Sequence, residues 1–119
     1  MTAEQLLCYR SVQTWLQGLQ QQSGVPPQAC EERLRLLAAF CAYVGQSPDA
    51  LVAACLRHTE AGTAIDAAGR RRLAAQIAAF AQQLPGDRRQ QVFGGNVVRS
   101  FLIHNGIMLQ AGWPYRPQA

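Results

Sequence analysis

Apolar residues return every three or four positions along most of this chain. That spacing puts them on one side of an α-helix. In the first such stretch Cys8, Val12, Trp15 and Leu19 share a face with Leu16, while Arg10, Gln13, Gln17 and Gln20 lie elsewhere. The spacing predicts a helix over about residues 3–22, broken by Ser23-Gly24-Val25-Pro26-Pro27. A second helix is expected over Pro27–Val44. Pro27 suits its first turn, Glu31 and Glu32 stand near its positive end, and Gly45 suits its stop. Its second half, LLAAFCAYV, is apolar nearly all round, which predicts the central buried helix.

Ser47-Pro48-Asp49 reads as a helix start: a cap, a proline at the first position and an acid in the first turn. The third helix is expected to run to about His58, followed by TEAGTAI as a loop. Asp66 can cap a fourth helix with the stripe Leu73, Ile77, Phe80 and Leu84, ending before Pro85-Gly86. Asp87 can cap a fifth, with Val97, Val98, Phe101 and Leu102 on one side and Asn105-Gly106 as its stop. Strand signals are missing, because β-branched residues are few and period-two alternation is absent. The expected fold is therefore all-α, a compact bundle of four to five helices in one domain over residues 1–110. Residues 111–119, Pro-rich, read as a tail or the start of an interdomain linker.

Composition supports a packed core: 49% of the 119 residues are hydrophobic and 15% are charged. The net charge is +4, and all eleven basic residues are arginine. Codon bias in a GC-rich genome explains that choice by itself. The functional reading is that the guanidinium fork binds phosphates and base edges bidentately. Cys8, Cys30, Cys41 and Cys55 show no C-x-x-C spacing and fall among apolar residues, so they are expected to be small core residues in a reducing compartment. No basic segment followed by an apolar run opens the chain, and no apolar run reaches membrane-spanning length. The expectation is a cytoplasmic protein without membrane attachment.

The candidate chemistry lies in the arginines. Arg88 and Arg89 occupy the first turn of the fifth helix, where the dipole disfavours a cation by about 0.3–1 kcal/mol. A polyanion would reverse that sign, since phosphates favour helix N-termini. Downstream, Gln91, Asn96 and Arg99 avoid the main apolar face, and their side-chain types can read base edges. Arg70, Arg71 and Arg72 form the densest cluster, again at a helix start, with Asp66 four residues before Arg70 as an ion-pair partner. The competing reading of all these residues is a solvated helix face, with Asp87 partly neutralising its neighbours. His58 and His104 lack a carboxylate or cysteine at ligand spacing, and His104 suits the last turn of its helix. Ser23 and Ser100 have no nucleophile context such as G-x-S-x-G. Gly94-Gly95 inside a helix costs about 1 kcal/mol per glycine, which close helix packing or a ligand backbone could justify. No active site, metal, cofactor or small-molecule substrate is indicated.

The order of features then becomes informative. TWLQGLQ and a break are followed by EERLRLLAAFCAYVGQSPDALVAACL, a helix ending FAQQLPG, and DRRQQVFGGNVVRSFLIHNGI. Over roughly residues 12–109 this resembles the N-terminal core-binding domain of tyrosine recombinases and phage integrases, the SAM-like helical domain. Phe40, Tyr43, Gly45, Pro48, Leu51, Ser100, Phe101, Asn105 and Gly106 stand where that pattern expects them. The resemblance implies half of a clamp around duplex DNA, with the starts of the second and last long helices at the major groove. On this chain those are Gln28 with its neighbours, and Arg88, Arg89, Gln91 and Asn96. The family's chemistry belongs to a second domain carrying an Arg–Lys–His-x-x-Arg–His/Trp–Tyr set. This chain has no H-x-x-R and no lysine, and Tyr115 lacks that company.

The reading is a non-catalytic DNA-binding module. Its expected contacts are Gln28, Arg70, Arg71, Arg72, Arg88, Arg89, Gln91, Asn96 and Arg99. Its partners would be duplex DNA, a C-terminal catalytic domain in a longer chain, and other copies on DNA. The alternative is a helical protein-interaction or self-association domain without nucleic-acid binding, anchored by Trp113 and Tyr115. Charge geometry separates the two. Arginines gathered on one face favour DNA; scattered arginines beside an exposed apolar patch favour the interaction domain.

Overall fold

The computed structural model describes residues 1–109; the tail with Trp113 and Tyr115 lies outside the described residues. A short 3-10 turn, Gln5–Cys8, leads into α1 (Arg10–Gln21), α2 (Pro27–Val44) and α3 (Pro48–Ala53). A two-stranded hairpin follows, β1 (Leu56–Thr59) and β2 (Gly62–Ile65), and then α4 (Ala67–Gln83) and α5 (Arg88–His104). The fold is an all-α bundle with one small antiparallel hairpin attached.

The predicted breaks hold for local reasons. Ser47 accepts the Ala50 N–H at 3.1 Å, and Asp66 accepts the Gly69 N–H at 3.1 Å. Asp87 and Gln90 form a reciprocal capping box at the start of α5, with bonds of 2.9 and 2.8 Å. Gly45, at φ 73°, closes α2 in the left-handed conformation.

Three expectations fail, each because of a non-local contact. First, the helix over residues 3–22 is interrupted at Tyr9, which is extended. On a continuous helix, at about 100° per residue, Cys8 would share the Val12–Trp15–Leu19 stripe and Leu6 would stand roughly 120° from Val12. The break reverses this: Leu6 is fully buried and Cys8 is exposed. Second, α3 stops at Ala53 and TEAGTAI is not a loop. Leu56 pairs with Ile65, Arg57 with Ala64, His58 with Thr63 and Thr59 with Gly62. Gly62 carries φ 122° just after the Glu60-Ala61 turn, and the Asp66 N–H donates to the Cys55 carbonyl at 2.8 Å to close the hairpin base. Third, α5 rather than α2 is central: α1, α2 and α4 all pack against it.

Glycine permits two of these approaches. A Cβ on Gly94 would lie 2.2 Å from Leu84 Cδ1, so the glycine pair in α5 serves close helix packing. A Cβ on Gly69 would lie 2.0 Å from the Ala54 carbonyl oxygen, so only glycine lets α4 begin against the end of α3. The core between the helices is built from Trp15, Leu37, Phe40, Leu51, Ile77, Phe101 and Leu102, all under 2% exposed. Trp15 meets Phe101 edge-on at 5.6 Å and donates its indole N–H to Ser100 Oγ at 3.1 Å.

The start of α1 has no side-chain cap of its own. Asp49, in the first turn of α3, supplies one by accepting both the N–H and the hydroxyl of Ser11, at 3.1 and 2.5 Å. Ser11 is 7% exposed, so losing this acceptor leaves a buried donor unmet. Asp49→Ala is expected to lower the unfolding free energy by about 1–3 kcal/mol, the sum of a lost cap and an unmet hydroxyl. Asp49→Asn, which keeps an acceptor, should lose less than half as much. Urea unfolding measures both; equal losses would show that the acceptor is not what matters.

Candidate functional site

α2 crosses α5: Val25, just before α2, shares a hollow with Val97 and Ser100, Arg33 lies over Phe93, and Tyr43 near the end of α2 reaches Gln83, just before α5 begins. Glu32 shares a groove with Arg89, Gln90 and Phe93, and one turn further on Leu36 approaches Gly94. The segment that leads into α2 therefore lies beside the later part of α5, and Glu32, in the second turn of α2, stands beside Arg89. Gln28 in the first turn of α2, and Arg88 and Arg89 in that of α5, are all exposed. The carboxylates nearby are partly occupied. Asp87 turns back onto the Gln90 N–H, and Glu31 pairs with Arg35 at 3.3 Å. Glu32 stays on the groove beside Arg89.

α4 and α5 are antiparallel: Gln91 meets Gln82 and Leu84, and Gly95 meets Ala81. Arg71 therefore stands about twelve residues, or roughly 18 Å, along the bundle from the end that holds Arg88 and Arg89. The predicted arginines do not share one face. Arg71 and Arg72 are exposed, while Arg70 is half-buried near Cys55. The expected Asp66–Arg70 ion pair does not form among the described residues, because Asp66 is capping α4.

Three predicted readers are engaged within the fold. Gln91 donates its amide to the carbonyls of Gln82 and Leu84, at 3.2 and 3.0 Å, and so closes the end of α4. Arg99 donates to Asn96 Oδ1 at 2.9 Å and lies over Gly95, where a Cβ would stand 2.9 Å from its Nη1. Burial lowers the pKa of that guanidinium from its ordinary value. These contacts could not be seen in the sequence, since each depends on the return of α5 along α4 or on the space left by a glycine.

An apolar groove of about 410 Å³ runs between α2 and α5, lined by Glu32, Leu36, Leu84, Pro85, Arg89, Gln90 and Phe93. Phe93 is 39% exposed, and the Arg33 guanidinium lies 5.5 Å from its ring centroid. At the opposite end of α5, His104 Nδ1 lies 2.9 Å from the Ser100 carbonyl, so that nitrogen carries the proton. The His104 ring fills the space over Gly18, which gives it the expected helix-end role.

No group of three or more His, Cys, Asp or Glu residues that could hold a metal occurs among the described residues. No described helix is long and apolar enough to cross a membrane. Comparison with family models, curated proteins and solved structures finds no match.

Cys30, Cys41 and Cys55 are buried, as expected, whereas Cys8 is exposed. Burial pushes the Cys41 thiol up from 9.0 to about 11. It also raises Cys55, where Arg70 pulls down and Asp66 pushes up. Below pH 9 the Cys41 thiol is protonated in both native and unfolded chains. Between about pH 9 and 11 the unfolded chain gives up this proton and the native chain keeps it. Stability should therefore fall with rising pH across that window, with roughly 2–3 kcal/mol lost to this thiol. Urea midpoints measured across the window test this: Cys41→Ala should flatten the fall, and an equally steep fall in the variant would contradict it.

Proposed function

We propose that this chain is a duplex-DNA-binding helical module of the site-specific recombinase and integrase type, without catalytic activity of its own. The observation that supports the reading is the exposure of Arg88 and Arg89 in the first turn of α5, with Gln28 also exposed in the first turn of α2. The positive end of the α5 dipole lies at Arg88 and Arg89. Cations at that position are disfavoured in an isolated protein and favoured against phosphate. Backbone contact by Arg88 and Arg89 would position the duplex, with Gln28 free to reach a base edge. Gln91, Asn96 and Arg99 act as supports that hold α5 in place. The strand-cleaving chemistry of such a system would come from a catalytic domain in a longer chain, with several copies assembled on the DNA.

A second reading has two observations in its favour, and the first is that the predicted arginines do not share one face. The second is that the α2–α5 groove is apolar and presents Phe93, which suits a helical protein-interaction domain. Sedimentation velocity separates it. A concentration-dependent dimer abolished by Phe93→Ala would support that reading, and a monomer at all concentrations would remove self-association.

For the DNA reading, fluorescence anisotropy with a labelled duplex at several salt concentrations is the test. The wild-type chain should bind at low salt and lose affinity steeply as salt rises. Arg88→Ala with Arg89→Ala should lower the slope of log K against log salt by about 2, close to 0.9 per lost phosphate contact. Unchanged affinity and slope in the double variant would remove this surface from the interface.

A further inference from the structure

We infer that the β1–β2 hairpin and the first two turns of α4 form a second duplex-DNA contact, at the other end of the α4–α5 pair from Arg88 and Arg89. The inference rests on the DNA-binding reading above. It assigns a role to the hairpin, which the helical pattern did not contain.

A two-stranded hairpin is marginally stable by itself and needs a surface to pack on. This one is held only at its base. Leu56 and Ile65 pair with each other and pack half-buried against the core, beside the fully buried Cys55. Beyond that base it stands in solvent: Arg57, His58, Thr59, Glu60, Gly62 and Thr63 are all exposed. An extension this polar adds nothing to the core, so its surface chemistry is what it offers.

That chemistry is basic. Residues 56–72 hold four arginines against two acids. Of the acids, Asp66 is turned into the α4 cap and Glu60 sits at the hairpin tip. Arg57 faces only the methyl of Ala64 across the strand pair, so no carboxylate opposes it there. His58 Nδ1 lies 3.2 Å from Thr63 Oγ1 on the other face, which leaves Nε2 outward. β2 runs through Asp66 directly into α4, which brings Arg71 and Arg72 to the foot of the hairpin. Arg70 is near enough to Cys55 to lower its thiol pKa against the effect of burial.

Spacing makes the two basic ends compatible with one duplex. They are separated by roughly 18 Å along α4, about five base pairs at 3.4 Å per step. A hairpin of this size enters a groove edge or lies along a phosphate backbone. In this arrangement Arg88 and Arg89 hold one segment of backbone, and Arg57, Arg71 and Arg72 hold another.

The experiment compares two variants of the whole chain on the same labelled 20-base-pair duplex, by anisotropy against salt. In Arg57→Ala/Arg71→Ala/Arg72→Ala the slope of log K on log salt should fall by roughly 2–3, one phosphate contact per arginine. Circular dichroism should stay at the wild-type helix signal. Arg57→Ala alone, on the solvent face of the hairpin, should lower the slope by about 1 and covers the case in which the triple variant misfolds. Arg57→Lys should keep the wild-type slope. If Arg88→Ala/Arg89→Ala loses slope while the hairpin variants keep it, the second contact is overturned and the DNA reading stands. If the wild-type chain fails to bind the duplex at low salt, both are overturned.

Discussion

Asp49 holds the ends of three helices in one hydrogen-bonded relay. It belongs to the first turn of α3, yet its carboxylate caps α1 through the N–H and hydroxyl of Ser11. The Ser11 carbonyl in turn accepts from the Asn105 amide at 3.0 Å, and the same amide bonds the Phe101 carbonyl at 2.8 Å as α5 ends. Ser11 and Asn105 are 94 residues apart in sequence. With these ends fixed, Trp15 is set edge-on against Phe101 and the direction of α5 across α1 is determined. The relay lies at the end of α5 opposite to Arg88 and Arg89.

Glycines set how closely the helices can follow that plan. Each one inside a helix costs about 1 kcal/mol relative to alanine. At Gly18 a Cβ would lie 2.2 Å from His104 Cδ2, and at Gly94 2.2 Å from Leu84 Cδ1. The gain is contact with α5 along both α1 and α4, and each buried aliphatic side chain contributes about 1.5–3 kcal/mol. The packing term exceeds the propensity term, which explains why poor helix formers occupy the interior of the central helix.

Local chemistry was legible in the sequence, and long-range partnership was not. Ser47, Asp66, Asp87 and Gly45 announce helix ends because a cap acts within four residues. The hairpin stayed hidden because its strands are only four residues long and lie between strong helical patterns. The only local signals were Gly62 after a two-residue turn and the β-branched Thr59, Thr63 and Ile65. The exchange of Leu6 for Cys8 follows from the cap that Asp49 supplies 38 residues away from Ser11, which no window on the first helix contains. Among the candidate contacts, the types of Gln91, Asn96 and Arg99 pointed toward base edges, but a carbonyl pair and a glycine hollow engage them first. Gln28, Arg88 and Arg89 are exposed, each in the first turn of its helix.

The resulting picture is a rigid bundle that presents basic groups at two ends of one helical hairpin, with an apolar groove between α2 and α5. The most direct measurement is a map of backbone amide shifts in the isotope-labelled chain as a short duplex is added at low salt. Shifts are expected at Arg88 and Arg89 at the start of α5, at Gln28 at the start of α2, and at the hairpin around Arg57 with the start of α4. An unchanged spectrum, or shifts confined to the α1–α5 seam around Gly18 and His104, would contradict it.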